Sequence, residues 1–373
     1  LTFIQTSGIL LVVLSTPKVK VLKEVIKTLT ERELLILEQI VREYTENDRP
    51  VGSKALVAVL PIKVSSATIR NDMAKLEEMG LIQKNHSSSG RIPSLKGYRY
   101  YVDHLIHPLA IKDDEVKKIH DSIGSQFDQV DDIVKTSTEM LSELTHYTVL
   151  SLKPNHEGSM LEGFRMVPLG NNSVMLILVA DNGEVTSRKF MIPNSMTGED
   201  LERVVRVLND RLIGHPLSEV YATLTTNFQD GMSKYLKTSA GIIDVFSDVV
   251  SKYAANQFFV GGRLNVLNFS RTDDLNQIKN LLGMFNETDK VKALVGNPGD
   301  DLNVRIGDEL RNSLLEDYSL VTATYDVGQH GQGMIAVLGP TSMQYSRMLG
   351  LVDAFRGQLA GRLIDYYQNI DDS

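Results

Sequence analysis

The sequence predicts an α+β protein of several domains, and three observations carry that reading. Its 373 residues amount to two or three domains at about 150 residues each. Apolar residues recur at steps of three and four near the amino terminus, then as short continuous runs such as Val174–Val179 and Gly333–Leu338, so helical and sheet segments alternate. The composition, 42% hydrophobic and 23% charged, supplies enough apolar side chains for more than one core. With 39 Lys and Arg against 47 Asp and Glu, the net charge is −8, so a polyanionic partner must be met by a local patch rather than by bulk charge.

The absence of cysteine excludes disulfide staples, thiolate catalysis and cysteine-bearing zinc sites, and fits a cytoplasmic location. The apolar run Ile9–Leu14 is far shorter than the roughly 20 residues that span a bilayer. No Lys or Arg precedes it and no small-residue cleavage site follows, so neither membrane nor export is expected. Leu1–Lys27 has no clear period; residues 1–28 read as an N-terminal extension, an upstream or poorly chosen start rather than a functional arm.

A helix start follows. Thr30-Glu31-Arg32-Glu33 has the form of a capping box, and Leu34, Leu37, Ile40, Val41 and Tyr44 continue as an amphipathic stripe until Asn47-Asp48-Arg49-Pro50. Ser53 can cap a short second helix ended by Pro61, and Ser65 a third that runs to Met79 with Gly80 as terminator. In the third helix Ile69, Met73, Leu76 and Met79 form the apolar stripe, which directs Ser66, Thr68, Arg70, Asn71 and Lys75 mainly outward. Leu81–His86, the turn formers Ser87-Ser88-Ser89-Gly90 and Arg91-Ile92-Pro93 then read as a β-hairpin.

Three helices followed by a hairpin is the layout of a winged helix-turn-helix, whose last helix enters the DNA major groove while the hairpin lies against the backbone or minor groove. From Lys63 to Tyr101 seven basic residues face three acids, and none of those acids lies beyond Lys84. The candidate DNA contacts are therefore Ser66, Thr68, Arg70, Asn71 and Lys75 toward bases, Lys84, Arg91 and Arg99 toward phosphates, and His86 and Ser89 on the hairpin. The same residues have plainer readings: Arg70, Asn71 and Lys75 as a solvated helix face, Arg91 as a salt-bridge partner, His86 as a hydrogen-bonded structural residue. Tyr98, Tyr100 and Tyr101 stand at helical spacing that suits core packing better than base stacking.

The run Val64–Ile82, with His86, Gly90-Arg91-Ile92-Pro93-Ser94 and Gly97-Tyr98-Arg99-Tyr100-Tyr101-Val102-Asp103, resembles the HrcA family of heat-inducible bacterial transcription repressors. The family's usual Ser-Ala-Gly-Arg hairpin tip is Ser88-Ser89-Gly90-Arg91 here, a hydroxyl replacing a methyl. Toward the other end Ile306-Gly307-Asp308-Glu309, Tyr325, Ile335–Pro340 and Met343-Gln344-Tyr345 are similar to the family too, so the likeness spans about Leu29 to Asp365.

Between these ends, Ile111–Leu144 suits a linker helix or helix pair, and Val149–Leu152, Val174–Val179 and Val185–Met191 read as strands, the last two joined by the turn Asp181-Asn182-Gly183-Glu184. Thr197–Leu212 is helical, as is most of Leu217–Leu294, where Phe258–Gly262 and Leu264–Val266 read as short strands. Strands return at Leu320–Tyr325 and Gly333–Pro340, before a closing helix Tyr345–Tyr367. Each strand group alone is too small for a stable sheet, so one sheet domain interrupted by a helical insertion is expected.

The resemblance implies the names of these parts: an N-terminal winged helix-turn-helix at 29–108, linker helices at 109–146, a GAF-like sheet domain at 147–216 and 296–368, and an inserted, mostly helical dimerisation domain at 217–295. It also implies a homodimer on an inverted-repeat operator of double-stranded DNA upstream of chaperone operons, kept active by the GroE chaperonin and released on heat stress. No cofactor is expected. Gly328, Gly331 and Gly333 lack dinucleotide-binding spacing, and the eight histidines form no metal array or catalytic constellation, which argues against an enzyme. The competing class is a ligand-gated winged-helix regulator that senses a small molecule in its GAF-like domain.

Overall fold

The computed structural model describes residues 29–84, 90–123, 129–155, 159–181, 183, 185–192, 197–226, 240–254, 258–270, 274–296 and 302–371. The expected extension 1–28 and the hairpin residues His86 and Ser89 lie outside the described residues. The described chain forms two compact units, one of residues up to Pro108 with Thr341–Ser346, the other of Leu109–Pro340 with the residues from Arg347 onward.

In the first unit α1 (Glu31–Asn47) opens on the expected capping box: the Glu33 amide donates to Thr30 Oγ1 at 3.3 Å and the Thr30 amide to Glu33 Oε2 at 2.7 Å. Ile36, Leu37, Ile40 and Val41 are its buried face. α2 (Ser53–Val59) has Gly52, not Ser53, at its N-cap, which leaves the Ser53 hydroxyl for other partners. α3 (Ser66–Glu78) is capped by Ser65, whose side chain accepts from the Thr68 amide at 3.1 Å.

The end of α3 is a Schellman turn. Gly80, at φ +72°, donates to the Glu77 carbonyl and Leu81 to that of Leu76, both at 2.9 Å. β1 (Ile82–Lys84) and β2 (Arg91–Pro93) pair antiparallel. α4 (Leu95–His104) is capped by Ser94 and locks back onto the Schellman turn: Ser94 Oγ donates to the Gly80 carbonyl at 2.6 Å and Lys96 Nζ to that of Met79 at 2.9 Å. Contact there is so close that a Cβ on Gly97 would sit 1.9 Å from the Leu81 carbonyl oxygen. Tyr98, Tyr100 and Tyr101 are buried, with Tyr98 5.8 Å from the Tyr345 ring and Tyr101 Oη 3.1 Å from Ser346 Oγ, so they serve the core.

In the second unit the linker is a helix pair, α5 (Asp113–Ile123) and α6 (Val130–Thr145). β3 (Thr148–Asn155) belongs to a five-stranded antiparallel sheet with β7 (Phe258–Gly261), β8 (Leu302–Ile306), β9 (Tyr318–Asp326) and β10 (Gln332–Pro340), in the order β7-β3-β10-β9-β8. One face of it packs Leu150, Leu152, Leu320, Met334, Ala336 and Leu338 on α10 (Leu275–Met284) and α11 (Thr288–Val295). α6 runs along β3 and β7, and the last helix, α12 (Tyr345–Asp371), bonds to β9 through Arg356, whose Nη1 donates to the Thr324 carbonyl at 3.2 Å.

The single interrupted sheet expected from the sequence is instead two sheets. β4 (Leu161–Gly170), a strand the sequence reading missed, β5 (Ser173–Ala180) and β6 (Val185–Met191) form, among the described residues, a separate three-stranded sheet in the order β4-β5-β6. Tight hairpins order these three strands: Asn171 and Asn172 are both left-handed, at φ 48° and 56°, and Gly183 is at 79°, so β5 is flanked on both sides by its own chain neighbours. Its inner face packs Val174, Leu176 and Leu178 on α7 (Gly198–Leu212), α8 (Leu217–Thr226) and α9 (Ala240–Ala254). Leu217–Leu294, expected to be mostly helical, holds among its described residues α8, α9, α10 and α11 with the short strand β7. Leu264–Val266, expected as a strand, lies in a 3-10 helix over Arg263–Phe269.

Candidate nucleic-acid interface

α3 has two unlike sides. Ile69, Met73 and Leu76 are buried among the helices of the module, and Asp72 joins them because Arg32 of α1 grips its carboxylate with two bonds, of 2.7 and 3.0 Å. On the other side Arg70 and Asn71 are exposed and Ser66 and Thr68 partly so. An amide, hydroxyls and a guanidinium on one face of a helix that is anchored on its opposite face are the groups that read base edges in a major groove.

The expected cations divide into two kinds. Lys75 lies at the margin of that face, and its Nζ is bound by the buried Glu33 carboxylate at 2.9 and 3.1 Å. Burial alone would push the Glu33 carboxyl up, but its bonds to Lys75 and Thr30 outweigh that and hold it below its ordinary value. Arg91 opens β2 and pairs with Glu77 at 2.8 Å with only 17% of its side chain exposed. Its backbone bonds both ways with Val51, at 2.8 and 2.9 Å, which ties the hairpin to the loop before α2. Arg99 is held by Asp103 one turn on, at 2.6 Å.

Lys84, by contrast, is exposed and stands 3.7 Å from Glu77. Arg70 meets no carboxylate among the described residues; its Nε donates to Ser53 Oγ at 3.3 Å. Sequence reasoning missed Ser53 in this role, and it missed the acids Glu33 and Glu77 as partners of Lys75 and Arg91, because those pairings cross between elements. The Arg99–Asp103 pair was legible as an i, i+4 spacing.

Other chemistries find little here. Among the described residues no group of three or more His, Asp or Glu is placed to hold a metal ion, and no helix is long and apolar enough to cross a membrane.

A short hydroxyl-capped helix with a polar outer face, followed by a hairpin, defines a helix-turn-helix DNA-binding protein. Comparison with known proteins agrees: residues 37–93 match the DeoR-like helix-turn-helix domain, and residues 131–349 match the HrcA protein C terminal domain. The chain is 60% identical over 345 residues to the heat-inducible transcription repressor HrcA of Pediococcus pentosaceus, covering 92% of this chain and 100% of that one. It is 53% identical to that of Ligilactobacillus salivarius, covering 92% and 99%. A crystal structure of a hypothetical protein at 2.2 Å resolution matches with a TM-score of 0.58 and 26% identity, over 91% of this chain and 99% of that one. The chain belongs to the HrcA family of heat-inducible transcription repressors and is not an enzyme.

Proposed function

We propose that this chain works in the cytoplasm as a homodimeric repressor on an inverted-repeat operator upstream of chaperone operons, one winged-helix module to each half-site. Ser66, Thr68, Arg70 and Asn71 read base edges, while Lys84, Arg91 and Arg99, with His86 and Ser89 of the hairpin, meet phosphates and the adjacent groove. Lys75, whose ammonium Glu33 holds on two oxygens while 44% of its side chain is exposed, both braces α3 against α1 and stands beside that reading face. A guanidinium offers five N–H donors, so a carboxylate partner does not by itself bar a phosphate contact at Arg91 or Arg99.

The observation that carries this reading is the polar, exposed side of α3, set against a buried side that fixes its position. Residues 29–108 are the DNA-binding domain in this reading and 109–146 the linker helices. The five-stranded sheet is the GAF-like domain, and β4 through α9 the inserted dimerisation domain. In support of a dimer, the outer face of the three-stranded sheet carries an apolar strip, Met175, Ile177 and Val179 partly exposed along β5 with exposed Val167, Val185 and Met191 beside it, interspersed with Arg165, Ser187 and Lys189. A second copy of the same sheet is its natural cover.

The GroE chaperonin keeps the repressor active in this scheme, and heat releases the genes by drawing the chaperonin to unfolded clients. That requires a fold of small net stability, in which assistance changes the active fraction. A salt-dependent titration of the inverted repeat tests the whole reading. Arg70→Ala and Asn71→Ala each cost about 1–3 kcal/mol and relax base preference. Unchanged operator affinity in both overturns the groove assignment, and full affinity after a heat pulse without chaperonin overturns the regulatory part.

A further inference from the structure

We propose that Ser53, the first residue of α2, is a specificity-determining positioning residue that presets the Arg70 guanidinium and the Ser66 hydroxyl for base readout; this rests on the assignment of α3 as the reading helix. Ser66 and Arg70 are four residues apart and so lie on one side of α3. Both converge on the same oxygen: Ser53 Oγ stands 2.9 Å from Ser66 Oγ and accepts from Arg70 Nε at 3.3 Å. Because Gly52 takes the N-cap of α2, the Ser53 hydroxyl is not spent on its own helix.

Arg70 Nε–H donates to Ser53 Oγ, and the Ser53 and Ser66 hydroxyls share a hydrogen bond in which either oxygen can be the donor. With Nε occupied, the two terminal guanidinium nitrogens remain, the pair that meets guanine O6 and N7 side by side. An arginine on the surface samples many rotamers, and ordering it on binding costs affinity; a hydroxyl that holds it beforehand removes part of that cost. Ser53 touches no base in this scheme and acts only through its two neighbours.

The test uses the full chain and a duplex selected by it from random-sequence DNA, with each half-site base pair then substituted in turn. Ser53→Ala lowers affinity for the selected duplex about three- to tenfold, as expected for freeing one long side chain, and weakens discrimination at the base pair Arg70 reads, while the slope against salt stays unchanged. Ser53→Thr restores both, and thermal unfolding of Ser53→Ala matches the parent. In the double variant with Arg70→Ala, the loss is smaller than the product of the two single losses. Independent multiplication of those losses, or a threonine variant no better than the alanine one, overturns the positioning role alone. An Arg70→Ala chain that binds as the parent does overturns the readout assignment, and this inference with it.

Discussion

Replacing Gly97 by alanine puts a methyl group where the backbone of β1's leading turn already stands. The new Cβ falls 1.9 Å from the Leu81 carbonyl oxygen and 3.0 Å from its carbon, both main-chain atoms that cannot swing aside. Restoring ordinary contact requires α4 to retreat by more than 1 Å, roughly, and that movement acts against two bonds: the Ser94 amide to the Leu81 carbonyl at 3.1 Å, and Ser94 Oγ to the Gly80 carbonyl at 2.6 Å. Alanine in a helix gains about 1 kcal/mol over glycine. Overpacking costs about 1–3 kcal/mol and a buried acceptor stripped of its donor about 1–3 more, so the net is a loss on the order of 3 kcal/mol. Gly361→Ala, on the exposed side of α12 with nothing within 4 Å of the added Cβ, supplies the opposite sign, a gain of about 0.5–1 kcal/mol. Hydrogen exchange in native buffer resolves the first change locally, through faster exchange of the α3 and α4 amides, and operator affinity falls with it. A Gly97→Ala chain whose amides in those helices exchange no faster than the parent's refutes the close-packing argument.

Three further outcomes are expected. Because the Glu33 carboxyl titrates below its unfolded value, its contribution is complete above a pH of about 4.3 and disappears as pH falls through the lower folded value; acid unfolding followed by circular dichroism shows a shallower pH dependence in Glu33→Gln. Lys84→Ala weakens binding to all sequences alike and lowers the slope of log affinity against log salt by about 0.9, whereas Arg70→Ala changes base preference. Ile177→Glu, on the outer face of the three-stranded sheet, yields monomers by sedimentation and loses operator affinity; an intact dimer removes that face from the assembly.

Local signals in the sequence were read well where they are self-contained. The capping box at Thr30, the Ser65 cap and the Gly80 terminator each depend on residues within one or two turns, and the structure has all three. Sheet membership was not legible, because alternation says that Val174–Val179 is a strand but not whose neighbour it is. Pairing is decided by the Asn171-Asn172 turn and by burial on α7 to α9, neither of which a single-strand pattern contains. β4 escaped notice for a related reason: Gly163 and Pro168 interrupt its pattern, yet it borders β5 on one side only, where both are accommodated. At the site, the outward face of α3 followed from the apolar stripe, while the holders of Lys75 and Arg91 depended on how α1, α3 and the hairpin meet.

The strand order of the larger sheet bears on how this chain is made. β3 pairs with β7 and β10, residues 258–261 and 332–340, and both are synthesised after it. While the ribosome is still adding the intervening segment, β3 carries two unsatisfied edges and the apolar side chains of Val149, Leu150 and Leu152. Closure at such long range is slow, and a nascent strand kept waiting is open to wrong partners in proportion to the delay. Elongation rate and shelter for the unfinished polypeptide therefore bear on the yield of native molecules through this one strand.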